Sequence, residues 1–449
     1  MTAAPLEPLF TAAEMRALEE CYPGFPATAP ELMERAGTAV AVHALQAFPH
    51  AQRFAVVCGG GSNGGDGRIA ARVLREAGRD AVETTAVEQA DVIVDALFGT
   101  GFRGAPRDDA AATIERVNAA GVPVVAVDVP SGVDASTGEV PGAAVRADLT
   151  VTFGGAKLGL RVSPGALQAG EVVVADIGLG EAATEHAHVS PRVLELVPRK
   201  SRRDTKYTAG SVLVVGGARG MTGAVRLAAE AAFRADAGYV AVAVPEDSLP
   251  VVEATLLEPV KLTWAELERA ADRAQAVAVG PGLGRTDDAR ALVQRLLGEL
   301  EQPVVLDADA LFGLEPGEWR APVVLTPHAG ELGRLLGEES AWVDAHRLEA
   351  VRRTANRFGC VCLLKGSDTL VAAPGHGVLV CGPAPASLAT AGTGDVLTGV
   401  LVAYLAKGLE PRLAAAAAAT ATAEAARLVP HARGVTAGDV VAALPHVHG

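Results

Sequence analysis

Twice along this chain, apolar runs of strand length alternate with stretches of helix length, and that repetition restricts the fold more than any other feature. In the first half the runs are Phe54–Cys58, Asp91–Leu97, Pro123–Asp128 and Leu149–Phe153. Helix-like segments, Arg68–Ala77 and Asp108–Ala120, lie between them. Strand, helix and strand in succession predict a parallel sheet covered on both faces. At residues 190–206 (SPRVLELVPRKSRRDTK), Pro191, Pro198 and a basic cluster read as a linker. The alternation then restarts, with strands expected at Ser211–Val215, Tyr239–Val244, Ala276–Val279, Val304–Asp307, Val323–Leu325 and Val361–Leu364. Helices are expected at Asp288–Leu300, Asp344–Phe358 and Leu413–Leu428. With 449 residues, 49% of them hydrophobic, each half has material for its own core. The expected fold class is α/β, in two domains spanning 1–195 and 200–449.

A formal net charge of −14 argues against a nucleic-acid partner, which needs a basic face. It does not exclude an anionic small molecule, because backbone amides and helix N-termini hold phosphate without net positive charge. The five cysteines, Cys21, Cys58, Cys360, Cys362 and Cys381, have no metal-ligand or C-x-x-C spacing, and read as structural thiols of a reducing compartment. The N-terminus lacks the pattern of a signal peptide, and the apolar stretches are too short or too weakly apolar to span a bilayer. A cytoplasmic, membrane-free protein is expected, and a homo-oligomer.

The first half places its chemistry at strand ends. Gly59-Gly-Gly-Ser-Asn-Gly-Gly-Asp-Gly67 follows a strand and opens a helix. Its first six residues fit G-x-G-x-x-G, with Asp80 and Glu83 about where a ribose-binding acid would lie. That leaves open an ordinary redox domain, or a tight turn with no ligand. Asn63 and Asp66 among the glycines add a carbonyl and a carboxylate. Two more strands end in an acid, Asp95 before Ala-Leu-Phe-Gly-Thr-Gly101 and Asp128 before Val-Pro-Ser-Gly-Val-Asp134. Ligands of open parallel sheets sit at the carboxyl ends of the strands. Asn63, Asp95, Asp128 and Ser131 therefore converge there as hard oxygen donors, although each alone reads equally as a cap or turn residue.

In that order, GGGSNGGDG, DALFGTG, DVPSGVDASTG and TVTFGGAKLG resemble the NAD(P)H-hydrate epimerase domain, over about residues 10–180, and Leu32–Gly37 (LMERAG) fits as well. The resemblance implies a Rossmann-like parallel α/β/α sandwich. It implies K⁺ on Asn63, Asp95 and Ser131. The hydrated dinucleotide falls on Ser62, Asn63, Gly64, Gly65 and Asp66, on Gly99, Thr100, Gly101, Phe102, Arg103, Gly104 and Ala105, and on Asp128. Ser62 departs from the pattern, which usually has a second asparagine, so altered substrate contacts are expected there. The substrate carries a hydroxyl on the carbon beside the ring nitrogen, so nitrogen lone-pair push can expel it or open the ring reversibly. A cation and a positioned acid or base suffice for catalysis; Asp66 and Asp128 are both candidates for the proton shuttle.

In the second half, Ala391-Gly-Thr-Gly-Asp395 runs directly into an apolar helix, Val396–Leu405. Small residues at a helix N-terminus expose backbone N–H groups as an anion hole. Asp395 in the first turn is placed to take a proton from a substrate hydroxyl, the geometry of phosphoryl transfer to an alcohol. The plainer reading is an N-cap. No P-loop motif occurs. Lys365-Gly-Ser-Asp-Thr369 is a candidate nucleotide loop, Gly280-Pro-Gly-Leu-Gly284 a candidate substrate turn, and His328 lies just past a strand, where a lone histidine is often structural.

TKYTAGSVLVVGG, TGA (Thr222–Ala224), GPGLG, VLDADAL, LTPHAGE, KGSDT and AGTGD together resemble the ADP/ATP-dependent NAD(P)H-hydrate dehydratase, over about residues 200–445. That implies a ribokinase-like α/β domain. Ala224, one of Gly282 and Gly284, His328 and Asp395 then touch the hydrate. Lys365, Gly366, Ser367, Asp368, Thr369 and Gly394 touch the nucleotide, with Gly392 in the anion hole and Mg²⁺ accompanying ADP or ATP. Sugar and vitamin kinases share the AGTGD-like ending, but LTPHAGE, VLDADAL and the fusion to an epimerase half favour the dehydratase.

Overall fold

The computed structural model describes residues 4–180 and 182–447. The chain forms two compact units. One is Pro8–His186 with Asp344–Leu348; the other is Met1–Glu7, Ala187–Val343 and Glu349–Gly449.

Six strands of the first unit form a wholly parallel sheet, in the order Asp80–Glu83, Arg53–Cys58, Val92–Ala96, Val124–Val127, Leu149–Phe153 and Glu171–Ala175. Helices Ala29–Ala47 and Ser62–Glu76 bring Val40, Ala41, Ala70 and Leu74 onto one face, against Val56, Val94 and Val125. Helix Asp108–Ala119 covers the other face with Ile114 and Val117 against Ala55, Val57 and Ile93. Two-sided burial explains why the middle strands are unbroken apolar runs. The winding direction reverses between Arg53–Cys58 and Val92–Ala96, so the loops after these strands diverge and leave a crevice.

The helix expected from Arg68 begins at Ser62 instead. Glycines are poor helix formers, so the sequence reads as a loop. Packing overrides that propensity: a methyl on Gly64 would fall 1.9 Å from the Gly59 carbonyl oxygen, and one on Gly67 2.5 Å from the Ala96 Cβ. Only a helix without side chains on this face seats so closely against the strand ends.

The second unit holds ten adjacent strands, ordered Val260–Thr263, Tyr239–Val244, Ser211–Val215, Ala276–Val279, Val304–Leu306, Val323–Leu325, Val361–Leu364, Thr369–Ala372, Leu379–Cys381 and His186–Val189. Pairing is parallel up to Val361–Leu364, antiparallel across the next two strands, and parallel again at the last. The antiparallel pair has no counterpart in the sequence reading. Helices Thr222–Arg234, Thr393–Ala406 and Pro411–Leu428 cover one face, and Asp287–Glu299 packs on the other. The alanines Ala414–Ala418 of the Ala-rich helix are fully buried, so it is packed core. The stretch expected as one helix over 344–358 is two, Ser340–Ala345 and Arg347–Phe358.

The segment expected as a linker is partly ordered. Just before it, His186–Val189 is the strand beside Leu379–Cys381; within it, Pro191–Leu196 is a 3-10 helix whose Val193 is in the core. Pro191 starts that helix, where a missing N–H costs nothing, so the proline marks an onset and not a break. Among the described residues, no helix is long and apolar enough to cross a membrane.

Candidate active sites

The crevice of the first unit is a cleft of about 810 Å³. Ser62, Asn63, Asp66, Gly99, Thr100, Gly101, Phe102, Arg103 and Asp128 line it, together with Arg16, Glu19 and Phe153. Gly64 and Gly65 are turned inward, against Gly59 and Met33, and serve the packing of the helix. Gly104 and Ala105 follow the lining loop without being part of the wall.

Asp95 and Ser131 lie beneath the floor, 1% and 0% exposed. The Ser131 N–H and hydroxyl donate to Asp95, at 2.8 Å and 2.7 Å, and the Leu97 N–H also reaches Asp95, at 3.3 Å. Ser131 Oγ accepts from the Phe98 N–H at 2.8 Å. The Asn63 amide nitrogen donates to the Phe98 carbonyl at 2.8 Å, which fixes the amide and leaves Oδ1 as the free donor atom for a ligand. The expected cation donors are thus brought together: one carboxylate, one amide oxygen, one hydroxyl. Burial pushes the Asp95 carboxyl up to about 6, against the pull of its Ser131 and Leu97 hydrogen bonds. A single cation beside it would restore the ionised form. Among the described residues, no group of three or more His, Cys, Asp or Glu is arranged to hold a metal.

Two aspartates face the cleft beside Glu19. Asp128 Oδ1 meets the Lys157 ammonium at 2.7 Å and accepts from Thr152 Oγ1 at 3.0 Å. Lys157 is 2% exposed and also donates to the Phe153 carbonyl at 2.8 Å. Asp66 has no such clamp. Burial, then the charges of Asp128 and Glu19, push its carboxyl up to about 8, with Lys157 opposing.

In the second unit, Gly392 caps helix Thr393–Ala406 with left-handed backbone (φ 91°), pressed against Leu227 and Ala437. Asp395 is in the first turn, as expected. Burial, then the Asp307 charge, push it up to about 7, with Lys365 opposing. Asp307, 1% exposed, is held on both oxygens. Its Oδ1 accepts from Lys365 Nζ and Thr326 Oγ1, and its Oδ2 from Thr398 Oγ1, each at 2.8 Å. Burial opposes the Lys365 charge, but Asp307 and Glu331 more than compensate and hold it above the usual lysine range. A methyl on Gly394 would lie 3.4 Å from Lys365 Nζ, so this ammonium stands at the helix N-terminus.

A cleft of about 520 Å³ adjoins this centre, lined by His328, Lys365, Gly366, Ser367, Thr369 and Gly394 together with Pro385, Leu388 and Leu397. Asp368 lies beneath, 4% exposed, and accepts from Ser367 Oγ at 3.0 Å. His328 has two roles in the geometry. It caps helix Ala329–Leu336, its Nδ1 accepting from the Gly330 N–H at 3.0 Å, and its ring is on the cleft wall. Gly282 packs against Met221 and Ala224, and the Gly284 N–H donates to Asp309 at 3.0 Å.

Residues 212–445 match the family model described as NAD(P)H-hydrate dehydratase, and residues 29–89 and 79–159 match that of the YjeF-related protein N-terminus. The bifunctional NAD(P)H-hydrate repair enzyme Nnr of Moorella thermoacetica is 36% identical over 513 aligned residues, covering 98% of this chain and 96% of its own. That of Escherichia coli is 34% identical, covering 93% and 89%. The chain belongs to the bifunctional NAD(P)H-hydrate repair enzymes.

A solved ADP/ATP-dependent NAD(P)H-hydrate dehydratase from Bacillus subtilis, co-crystallised with ATP and Mg²⁺, is 30% identical with a TM-score of 0.53, over 57% of this chain and 94% of its own. The second unit is ribokinase-like, as expected. Within this repair-enzyme frame, the sequence reading passed over Lys157, Glu19, Thr152, Asp307 and Thr398. Asp307 ends a strand with an acid, the same signal that singled out Asp95 and Asp128, and was legible on that ground. Lys157 was visible only as a charge in an apolar run.

Proposed function

We propose that the first unit interconverts the two epimers of hydrated NADH and NADPH, and that the second unit returns the S epimer to NADH or NADPH at the expense of ADP or ATP. Membership in the repair-enzyme family supports both activities. The observation that carries the residue-level reading is common to both sites: at the carboxyl ends of the parallel strands of each unit, a carboxyl raised by burial stands near a second one tied to a lysine.

For epimerisation, Asp66 and Asp128 are the groups placed to move a proton, and Ser62, Asn63 and the loop 99–105 hold the dinucleotide. Asn63 Oδ1, Asp95 and Ser131 suit K⁺, because one carboxylate neutralises one charge, whereas a divalent ion usually recruits more carboxylates or waters. Bound there, K⁺ would supply fixed positive charge beside the reacting ring.

For dehydration, Asp395 takes the proton of the ring hydroxyl, whose oxygen attacks the terminal phosphoryl of the nucleotide. The amides at Gly392–Gly394 and the Lys365 ammonium receive the charge that develops. Phosphate then leaves as the ring nitrogen pushes, and loss of a neighbouring proton restores the dihydropyridine. Mg²⁺, carried mainly on the nucleotide phosphates, would supply charge neutralisation. Phosphorylation matters because hydroxide is a poor leaving group and phosphate a good one. An epimerase lets one stereospecific dehydratase clear both forms. The five free thiols favour the reducing cytoplasm as the site of action.

The test is a single assay, hydrated NADH with ADP and Mg²⁺, read by the return of NADH absorbance. A stable phosphorylated product would identify a kinase instead. Absorbance change that needs a hydride acceptor and no nucleotide would identify an oxidoreductase.

A further inference from the structure

The fold treats the two carboxyls on the cleft floor of the first unit differently. Asp128 is immobilised: its backbone is left-handed (φ 66°), its N–H donates to the Val151 carbonyl at 2.8 Å, and Lys157 and Thr152 both bind Oδ1. Oδ2 is therefore the atom available to a ligand in the cleft. Asp66, 9% exposed, lines the same cleft, and among the described residues its carboxyl makes no hydrogen bond and no ion pair. A largely buried carboxyl with no partner in the fold needs an explanation, and its place on the cleft gives one: its partner there is a ligand or solvent.

We propose that Lys157 is a positioning residue of the epimerase, holding Asp128 as an ion-paired, oriented acceptor so that the proton which moves in the reaction rides on Asp66. This rests on the epimerase reading above. The groups acting on Asp66 are Asp128, Glu19 from helix Ala12–Glu20, and Lys157, while Arg16 and Arg103 stand on the cleft wall with largely exposed side chains. The Lys157 ammonium is committed to Asp128 and the Phe153 carbonyl, so Asp66 faces two carboxylates with no cation of its own. A carboxyl clamped by a lysine beside one with no cation of its own separates a fixed acceptor from a proton carrier.

The chemistry balances without a co-reactant. Neutral Asp66 gives its proton to the ring hydroxyl, the C–O bond breaks with its electron pair on oxygen, and water departs. The ring-nitrogen lone pair forms the C=N bond, and the resulting cation faces the free oxygen of Asp128. Water adds to the other face, the C=N pair returns to nitrogen, and the released proton goes back to Asp66.

The full-length chain and the variants Asp66→Asn, Asp128→Asn, Lys157→Met and Lys157→Met/Asp128→Asn test this. Epimer exchange is measured across pH with hydrated NADH, and dehydration of the S epimer with ADP and Mg²⁺ in the same preparation reports that the chain is intact. Asp66→Asn should lower exchange at least 100-fold. Wild-type exchange should fall as pH rises through about 8, where Asp66 loses its proton, and Asp128→Asn should move that limb to lower pH by removing a like charge. Lys157→Met and Asp128→Asn should each cost about 100-fold, and the double variant no more than either, because Lys157 acts through Asp128. Multiplying losses in the double variant, or full exchange with an unmoved limb in Asp66→Asn, would overturn the assignment. If the lysine variant fails to accumulate, Asp66→Asn and Asp128→Asn still decide it. A wild-type chain that exchanges no epimers would sink the epimerase reading itself.

Discussion

Each unit pairs a lysine-anchored aspartate with an aspartate raised by burial, yet the anchored members differ. Asp307 has both oxygens engaged, by Lys365, Thr326 and Thr398, and at 1% exposure is not on the wall of its cleft. Asp128 uses only one oxygen and presents the other to its cleft. Asp307 therefore holds Lys365 at the helix N-terminus, whereas Asp128 keeps an oxygen for whatever enters its cleft. The free members differ too. In the roles proposed for them, Asp395 works ionised, to take a proton, and Asp66 works neutral, to give one. The same pair of residue types has been set to opposite tasks by counting hydrogen bonds.

The largest effect should separate the two sites outright. Asp395→Asn should lower dehydration on the order of 10³-fold, the range of a lost general base, with epimer exchange unchanged. The two activities are read by NADH absorbance and by epimer separation. A mutant that still dehydrates at full rate would remove Asp395 as the base and break the parallel.

Next is the cation. Asp95 accepts three hydrogen bonds, so an alanine there would strand buried donors at about 1–3 kcal/mol. Asp95→Asn keeps the shape. Wild-type exchange should run about 10-fold or more faster in K⁺ than in a bulky organic cation at equal ionic strength, as loss of one electrostatic stabiliser implies, and Asp95→Asn should lose that preference. Equal rates in all salts would make the Asn63–Asp95–Ser131 set purely structural.

A moderate effect sharpens the acid–base contrast. Dehydration should rise with pH through about 7 and then level, since Asp395 is raised to that value and is active when ionised. Exchange should run the other way above about 8. Parallel profiles would mean that the assigned protonation states are wrong.

The smallest effect concerns the boundary. A second-unit fragment beginning at Glu185 keeps the strand His186–Val189 and the buried Val193, while one beginning at Lys200 loses them. The shorter piece should melt several degrees lower, the scale of about 1–2 kcal/mol in a domain this size. Equal melting temperatures would restore residues 190–206 as a linker.

Much of this was legible from strand-end acids and glycine placement. The alternation placed the parallel core strands, and Asn63, Asp66 and Asp128 do share a cleft. What failed did so for identifiable reasons. Helix Ser62–Glu76 was misjudged at its start because propensity says nothing of how closely a glycine face can pack. The strands Thr369–Ala372 and Leu379–Cys381 were missed because they are short and lack flanking helices. Lys157 escaped because a sequence shows a lone charge but not the carboxylate, twenty-nine positions upstream, that the fold brings to it.

The raised carboxyls also bear on how the empty protein survives. Asp66 and Asp395 bind protons more tightly folded than unfolded, so they favour the folded state below pH 4 and withdraw that support as pH climbs toward about 8 and about 7. Most carboxylates, held by cations or amides, do the reverse. At neutral pH the ligand-free enzyme thus carries its readiness to react as a mechanical weakness localised at the two clefts. Any ligand that binds only the folded state offsets that cost in proportion to its occupancy, which ties how long the molecule lasts to how often its clefts are filled.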